Sequence, residues 1–251
     1  MPHALVRELA TTFDRAITGH GRSPRVDVAQ TQHRQYVHEL ERAGYEVTTL
    51  TADDDYPDCV FVEDTAVIVG DMAVITRPGA ESRRGETGPV LDELGRHFET
   101  TQLEAPGTLD GGDVMLMGEM LYVGRSQRTN DEGIAQLTAV AHDIGLEVVI
   151  VPVAEVLHLK SGVLPVTADT VVVTPGTVDE SLFSGLRVLY EADGERHRFS
   201  ALRLGDDEVL VTANAPRTAA GVADLGVTTT PIDVSEIQAA DGGLTCLSIV
   251  F

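Results

Sequence analysis

Lysine is almost absent from this chain: all but one of its 18 Lys and Arg residues are arginine, and the exception is Lys160, inside "LHLKSG". Basic charge as a whole is scarce, with 40 acidic residues giving a formal net charge of −22. That balance excludes nucleic acid and anionic membrane surfaces as partners, since both need basic patches. It suits a cationic ligand, although net charge speaks first to solubility, and a salt-rich host cytoplasm would produce the same excess. Cysteine is nearly missing too. Cys59 and Cys246 form no C-x-x-C pair and give no disulfide framework, which points to a reducing cytoplasm. The chain has no H-E-x-x-H or comparable ligand cluster, so a zinc hydrolase is rejected and no metal or cofactor is expected. Runs such as "VVIVPVAEVL" are too short and interrupted to span a bilayer. The N-terminal "MPHALVRELATTFDRAITGHGR" is charged throughout and is not a secretory signal. No linker or low-complexity segment divides the 251 residues, which are read as one domain, 1–251.

What is present is a weak internal repeat. "VEDTAVIVGDMAVITRPGAESRR" and "DGGDVMLMGEMLYVGRSQRTNDEG" share an acidic lead, an apolar strand, a Gly-Asp or Gly-Glu turn with Met, a second strand and an Arg-containing loop. The "GDM" and "GEM" turns predict β-hairpins. Asp64 and Asp113 occupy matching positions about fifty residues apart, and another such step reaches Gly162, ahead of "VLPVTADTVVVTPG". "ALRLGDDEVLVTANAPRT" gives a fourth unit, and "GLTCLSIVF" paired with "HALVREL" a fifth. Helical periodicity follows several hairpins. Ile134, Leu137, Ala141 and Ile144 share a face that Gly145 can end; Leu91, Leu94 and Phe98 follow Pro89; "VDVAQTQHRQYVHELERAG" gives a third helix. Each returns through a strand, so the unit is ββαβ. Five such units predict an α/β propeller whose loops meet on one axis.

Four stretches set unusual polar residues beside strands. Asp58, Glu63 and Asp64 in "PDCVFVED" read as strand-end acids, or as carboxylates holding a planar cation by charge-assisted hydrogen bonds. Asp110 and Asp113 in "TLDGGDV" read as turn residues, or as acids beside glycines that admit a ligand. His158 lies between leucines and reads as a core histidine, or as an acid–base group. Cys246 reads as a small hydrophobe, or as a nucleophile if a cationic neighbour favours its thiolate. Together these groups describe attack on the central carbon of a guanidinium.

"PDCVFVED", "ITRPGAESRRGET", "APGTLDGGDVM", "GRSQRTN", "LHLKSG" and "DGGLTCLS", in order and across almost the whole chain, resemble the dimethylarginine dimethylaminohydrolase family of the guanidine-modifying superfamily. The resemblance implies a five-fold pseudosymmetric α/β propeller (the pentein fold) and cofactor-free conversion of Nω-methylated L-arginines to L-citrulline. It implies Cys246 as nucleophile, His158 as proton donor and then base, and Asp110 as the acid orienting His158, where some bacterial members have the longer Glu. Glu63 and Asp64 resemble the guanidinium-binding pair, Arg83 and Arg128 the α-carboxylate arginines, and Asp58 the acid near the α-amino group. Ile17 and Thr18, before the "GHGRSP" loop, resemble the start of a lid, and Ala240 and Asp241 line the site. Leu247 stands where some members carry a second cysteine, and Cys59 matches no catalytic role. The partner implied is a small cationic amino acid; a homodimer is the assembly to test. An arginine deiminase-like activity and a non-catalytic arginine-binding module are the alternatives.

Overall fold

Gly70 and Gly118 take φ values of +56° and +60°, which lets a two-residue turn reverse the chain. The first joins β3 (Ala66–Val69) to β4 (Met72–Ile75), with Val69 opposite Met72; the second joins β6 (Val114–Met117) to β7 (Met120–Arg125), with Met117 opposite Met120. These are the "GDM" and "GEM" hairpins. The computed structural model describes residues 1–19 and 22–251, so His20 and Gly21 of the "GHGRSP" loop lie outside the described residues.

Each hairpin continues through a crossover into a third strand parallel to the second. Helix α2 (Thr87–Leu94) leads to β5 (Glu99–Gln102), and α3 (Asp131–Asp143) to β8 (Glu147–Pro152). Strands β9 (Val163–Pro165), β10 (Thr170–Val173) and β11 (Arg187–Tyr190) repeat the pattern, as do β12 (Ala201–Arg203), β13 (Glu208–Thr212), α4 (Pro216–Ala223) and β14 (Thr228–Ile232). The third unit departs from ββαβ: its crossover is only a 3-10 turn, Glu180–Phe183, that buries Phe183. In the fifth unit α5 (Ser235–Gln238) precedes β15 (Ser248–Val250), which pairs antiparallel with β1 (His3–Arg7); α1 (Val26–Arg42) then returns the chain to β2 (Glu46–Leu50), parallel to β1.

The period-2 pattern of the inner strands closes the ring. Both faces of a blade are buried, so alternate residues feed two different cores. Leu5 enters the core between β1 and the β3–β4 blade, whereas Ala4 and Val6 enter the core against the β12–β14 blade. Val67 and Val69 pack toward the β6–β7 blade; Met115 and Met117 pack toward the β9–β10 blade; Val172 packs toward the β12–β13 blade. Five cores thus fill five successive blade junctions, and the fold is a five-bladed α/β propeller. Helix α1 joins through Ala29, His33, Tyr36 and Leu40, spaced for one helical face. Ile144 is a correction: α3 ends at Asp143, so Ile144 rotates off the apolar face and is exposed, and Gly145 at φ +82° completes the stop.

Four blades enter their first strand through a short 3-10 turn: Val62–Thr65, Gly111–Asp113, Leu159–Ser161 and Thr245–Leu247. These turns touch one another in the order 245–247, 62–65, 111–113, 159–161 around the axis.

Candidate active site

The polar residues singled out in the sequence sit on those four turns or directly beside them. The Val62–Thr65 turn carries Glu63 and Asp64; Asp110 and His158 are the residues immediately preceding the second and third turns; Cys246 is the centre of the fourth. The remaining blade, β12–β14, contributes support: the Ser200 hydroxyl oxygen, just before β12, accepts the Leu244 N–H at 2.8 Å.

His158 is buried, and its Nε2 is 2.9 Å from Asp110 Oδ2, so the shorter acid reaches it. Asp110 is held in turn, accepting the Gly79 N–H on Oδ1 at 2.8 Å. The other ring nitrogen, Nδ1, lies 3.9 Å from Asp64 Oδ1. Burial pulls the His158 pKa down, but Asp64, the Asp110 hydrogen bond and Asp113 outweigh it and raise it to about 9. Asp64 is buried as well; His158 and Arg83 overcome that cost and hold its carboxyl down at about 2. Gly112 permits this approach, since a Cβ there would sit 2.7 Å from His158 Nδ1 and 2.8 Å from Asp64 Oδ1.

Cys246 is half-buried at the cleft and accepts the Gly243 N–H on Sγ at 3.2 Å. Burial first, then the Glu63 and Asp64 charges, push its thiol up to about 12; the Gly243 N–H and Lys160 pull the other way. Its cleft is lined by Ile17, Asp58, Asp64, Arg83, Arg128, His158, Ala240 and Asp241 from the sequence reading. Phe61, Leu157 and Gly242 complete it and were not singled out as site residues. Phe61 and Leu157 give no polar signal in a sequence, and the reason for Gly242 shows only in the fold, where a Cβ would strike the Phe61 ring at 2.2 Å.

Two of the eleven expected residues stand behind the lining. Asp110 is fully buried and hydrogen-bonded to His158. Glu63 is buried one residue before the lining Asp64, its Oε1 2.5 Å from Lys160 Nζ, and its charge acts on Cys246. Arg83 is present but heavily committed: Nη1 donates to Asp64 at 2.6 Å, Nη2 to the Phe61 carbonyl at 2.9 Å and to Glu86 at 2.8 Å, and Nε to both Glu86 oxygens. Glu86, pushed up to about 7 by burial against the pull of Arg83, was missed; its signal was the i,i+3 spacing within "RRGE". Arg128 is freer, its Nη1 3.8 Å from Asp110. Asp113 also works from behind, accepting the Leu159 N–H at 2.8 Å and the Ser126 and Thr129 hydroxyls at 2.6 Å.

The 14–19 segment crosses the cleft. Ile17 N–H donates to Asp58 Oδ1 at 3.0 Å, Thr18 Oγ1 to the Ala239 carbonyl at 3.0 Å, and Gly19 N–H to Asp241. Burial raises the Asp58 pKa, opposed by Arg83 and the Ile17 N–H. Asp64, Asp110 and His158 offer ligand atoms within 4.8 Å of one another. A metal held there would have to displace the His158 proton, which Asp64 and the Asp110 hydrogen bond favour.

A family model described as "N,N dimethylarginine dimethylhydrolase, eukaryotic" matches residues 11–191, more than half of the chain. The chain belongs to the dimethylarginine dimethylaminohydrolase family. A dimethylarginine dimethylaminohydrolase of Streptomyces coelicolor is 40% identical over 98% of this chain and 95% of its own length. Among solved structures of the family, a cysteine-to-serine mutant from Pseudomonas aeruginosa complexed with citrulline superposes with TM-score 0.95 at 33% identity, covering 99% of this chain and 98% of that one. A histidine-to-glycine variant, captured as an adduct with S-methyl-L-thiocitrulline, gives TM-score 0.94 at 32% identity over 99% of both chains. Among the described residues no helix is long and apolar enough to cross a membrane.

Proposed function

We propose that this protein hydrolyses Nω-methylated L-arginines to L-citrulline, releasing dimethylamine or methylamine, through a covalent intermediate on Cys246. The observation that carries this reading is a single cleft lined by Cys246, His158, Asp58 and Asp64, with Asp64 and the Asp110 hydrogen bond raising the His158 pKa to about 9. Burial and the Glu63 and Asp64 charges push the thiol up to about 12, which favours its protonated form. A guanidinium arriving beside Asp64 brings the missing positive charge, the thiol loses its proton to water, and the thiolate attacks the guanidinium carbon. His158 gives its proton to the departing amine as the carbon–nitrogen bond breaks, leaving an S-alkylthiouronium. Neutral His158 then takes a proton from water attacking the same carbon. Collapse expels the thiolate and forms the ureido group of citrulline.

Arg128 and the remaining donor of Arg83 are assigned to the substrate α-carboxylate, and Asp58 to the α-amino group, with the Ile17–Gly19 segment closing over both. We read residues 1–251 as one catalytic unit working in a reducing cytoplasm, where both cysteines stay free thiols. A homodimer is the assembly proposed, to be checked by sedimentation. The deciding experiment measures citrulline from arginine, monomethylarginine and asymmetric dimethylarginine side by side, with wild type and Cys246→Ser. Turnover of the methylated substrates by wild type and none by the variant is expected. Preference for unmethylated arginine would replace this reading with a deiminase, and undiminished turnover in Cys246→Ser would remove the nucleophile.

A further inference from the structure

The one lysine of the chain has no part in the chemistry above, and the structure gives it a partner. Lys160 Nζ sits 2.5 Å from Glu63 Oε1, with the lysine side chain 14% and the glutamate side chain 12% exposed. The other glutamate oxygen, Oε2, is buried and has no close hydrogen-bond partner among the described residues, although the Thr245 hydroxyl also acts on this carboxylate. Such an atom costs free energy unless something arrives to satisfy it. Glu63 lies one residue before Asp64 on the turn that touches the Thr245–Leu247 turn, and its charge acts on Cys246.

Arginine covers two other buried glutamates at both oxygens, although Arg83 meets Asp64 through one oxygen alone. Arg83 covers both oxygens of Glu86, and the Arg22 and Arg25 side chains together cover both oxygens of Glu236. A guanidinium fork spans a carboxylate, whereas an ammonium is a point charge that can hold one oxygen and leave the other open. This distinguishes the one position at which the chain uses lysine rather than arginine.

We propose that Lys160 is a positioning residue for substrate: it holds Glu63 through Oε1, keeps that carboxylate ionised, and leaves Oε2 as an open acceptor for a guanidinium N–H. The assignment rests on the guanidinium-binding reading of the cleft. Burial raises the Glu63 pKa, and Lys160 is the chief influence pulling it back. Without the ammonium, burial raises the Glu63 pKa further, and the carboxylate becomes a weaker acceptor for a cation.

The test measures the Kd of asymmetric dimethylarginine by calorimetry in the Cys246→Ser background, where binding is read apart from turnover. Lys160→Met, Lys160→Arg, Glu63→Gln and the two double variants are compared from pH 6 to 9. Lys160→Met is expected to weaken binding about tenfold or more at neutral pH, the loss shrinking as pH rises and Glu63 ionises. Lys160→Arg keeps the charge but closes Oε2, so it weakens binding at every pH. In the Glu63→Gln background neither Lys160 change weakens binding further. Parent-like affinity in either single variant, with thermal melts showing both folded, overturns the proposal. So does an equal loss with and without Glu63. Citrulline production by the wild type is scored separately, so a failed activity assignment is distinguishable from a failed role for Lys160.

Discussion

At the scale of single residues, the hydrogen bond to Asp110 helps to set where the His158 imidazole titrates. Asp110 is fully buried, and removing its charge withdraws two of the influences that raise the His158 pKa. Asp110→Asn is therefore expected to lower that pKa from about 9, observed as an earlier titration of the imidazole by NMR. Turnover should fall by about 10²- to 10⁴-fold, the usual worth of a positioned general acid. Glu86 makes a different prediction. It shares buried Arg83 with Asp64, so Glu86→Ala strips the guanidinium of most of its compensation. A loss of about 3 kcal/mol or more in urea unfolding is expected. The two residues also differ in legibility. Asp110 and His158 stand out in sequence because a polar group flanked by glycine or leucine is anomalous. Glu86 does not, since an acid three residues after an arginine looks like any solvated helical pair until the turn is seen to be buried. Lys160 was visible only as a compositional oddity; its partner is 97 residues away and belongs to another blade.

At the scale of elements, the 3-10 turns before the inner strands turn a repeat into a site. Each carries or directly follows a polar group at the axis, the Val62–Thr65 turn carrying two, and the glycines around them set how closely the turns nest. Gly112→Ala would place a methyl 2.7 Å from His158 Nδ1, and Gly124→Ala one 2.5 Å from Asp113 Oδ1. Both are expected to cost about 1–3 kcal/mol in stability. Gly112→Ala should also lower kcat with the fold intact by circular dichroism, because the displaced group is the histidine itself. Sequence periodicity carried the hairpins, α1, α2 and α3, since a local pattern decides each. It did not carry the missing helix of the third unit, where "DESLF" makes one 3-10 turn and Phe183 alone anchors the crossover. Nor did it place Ile144, because which residue follows the last helical turn depends on where Gly145 reverses the chain.

At the scale of the whole molecule, the ring is closed by β15 against β1, and every blade junction depends on its neighbours. A stability curve for the propeller consequently reports on buried charges at the axis as well as on the surface. The surface term comes from a net charge of −22, whose self-repulsion is screened by salt, so the melting temperature should rise as NaCl is raised from dilute buffer. A melting temperature independent of salt would count against that reading. The axial term has a definite sign. His158 has its folded pKa raised to about 9 from an ordinary 6.5, so the protonated form stabilises the fold. That contribution is fully present below pH 6.5 and is lost as pH rises through 9. A shift of this size corresponds to roughly 3 kcal/mol. Unfolding free energy measured in urea, at a salt concentration high enough to screen the surface, should fall across that interval for wild type. In His158→Phe the slope should be shallower, because the proton whose release destabilises the ring is no longer there to lose. Parallel slopes for the two proteins would mean that His158 enters the folded ring with an ordinary pKa, and the acid assigned to the departing amine would then be only partly protonated at neutral pH.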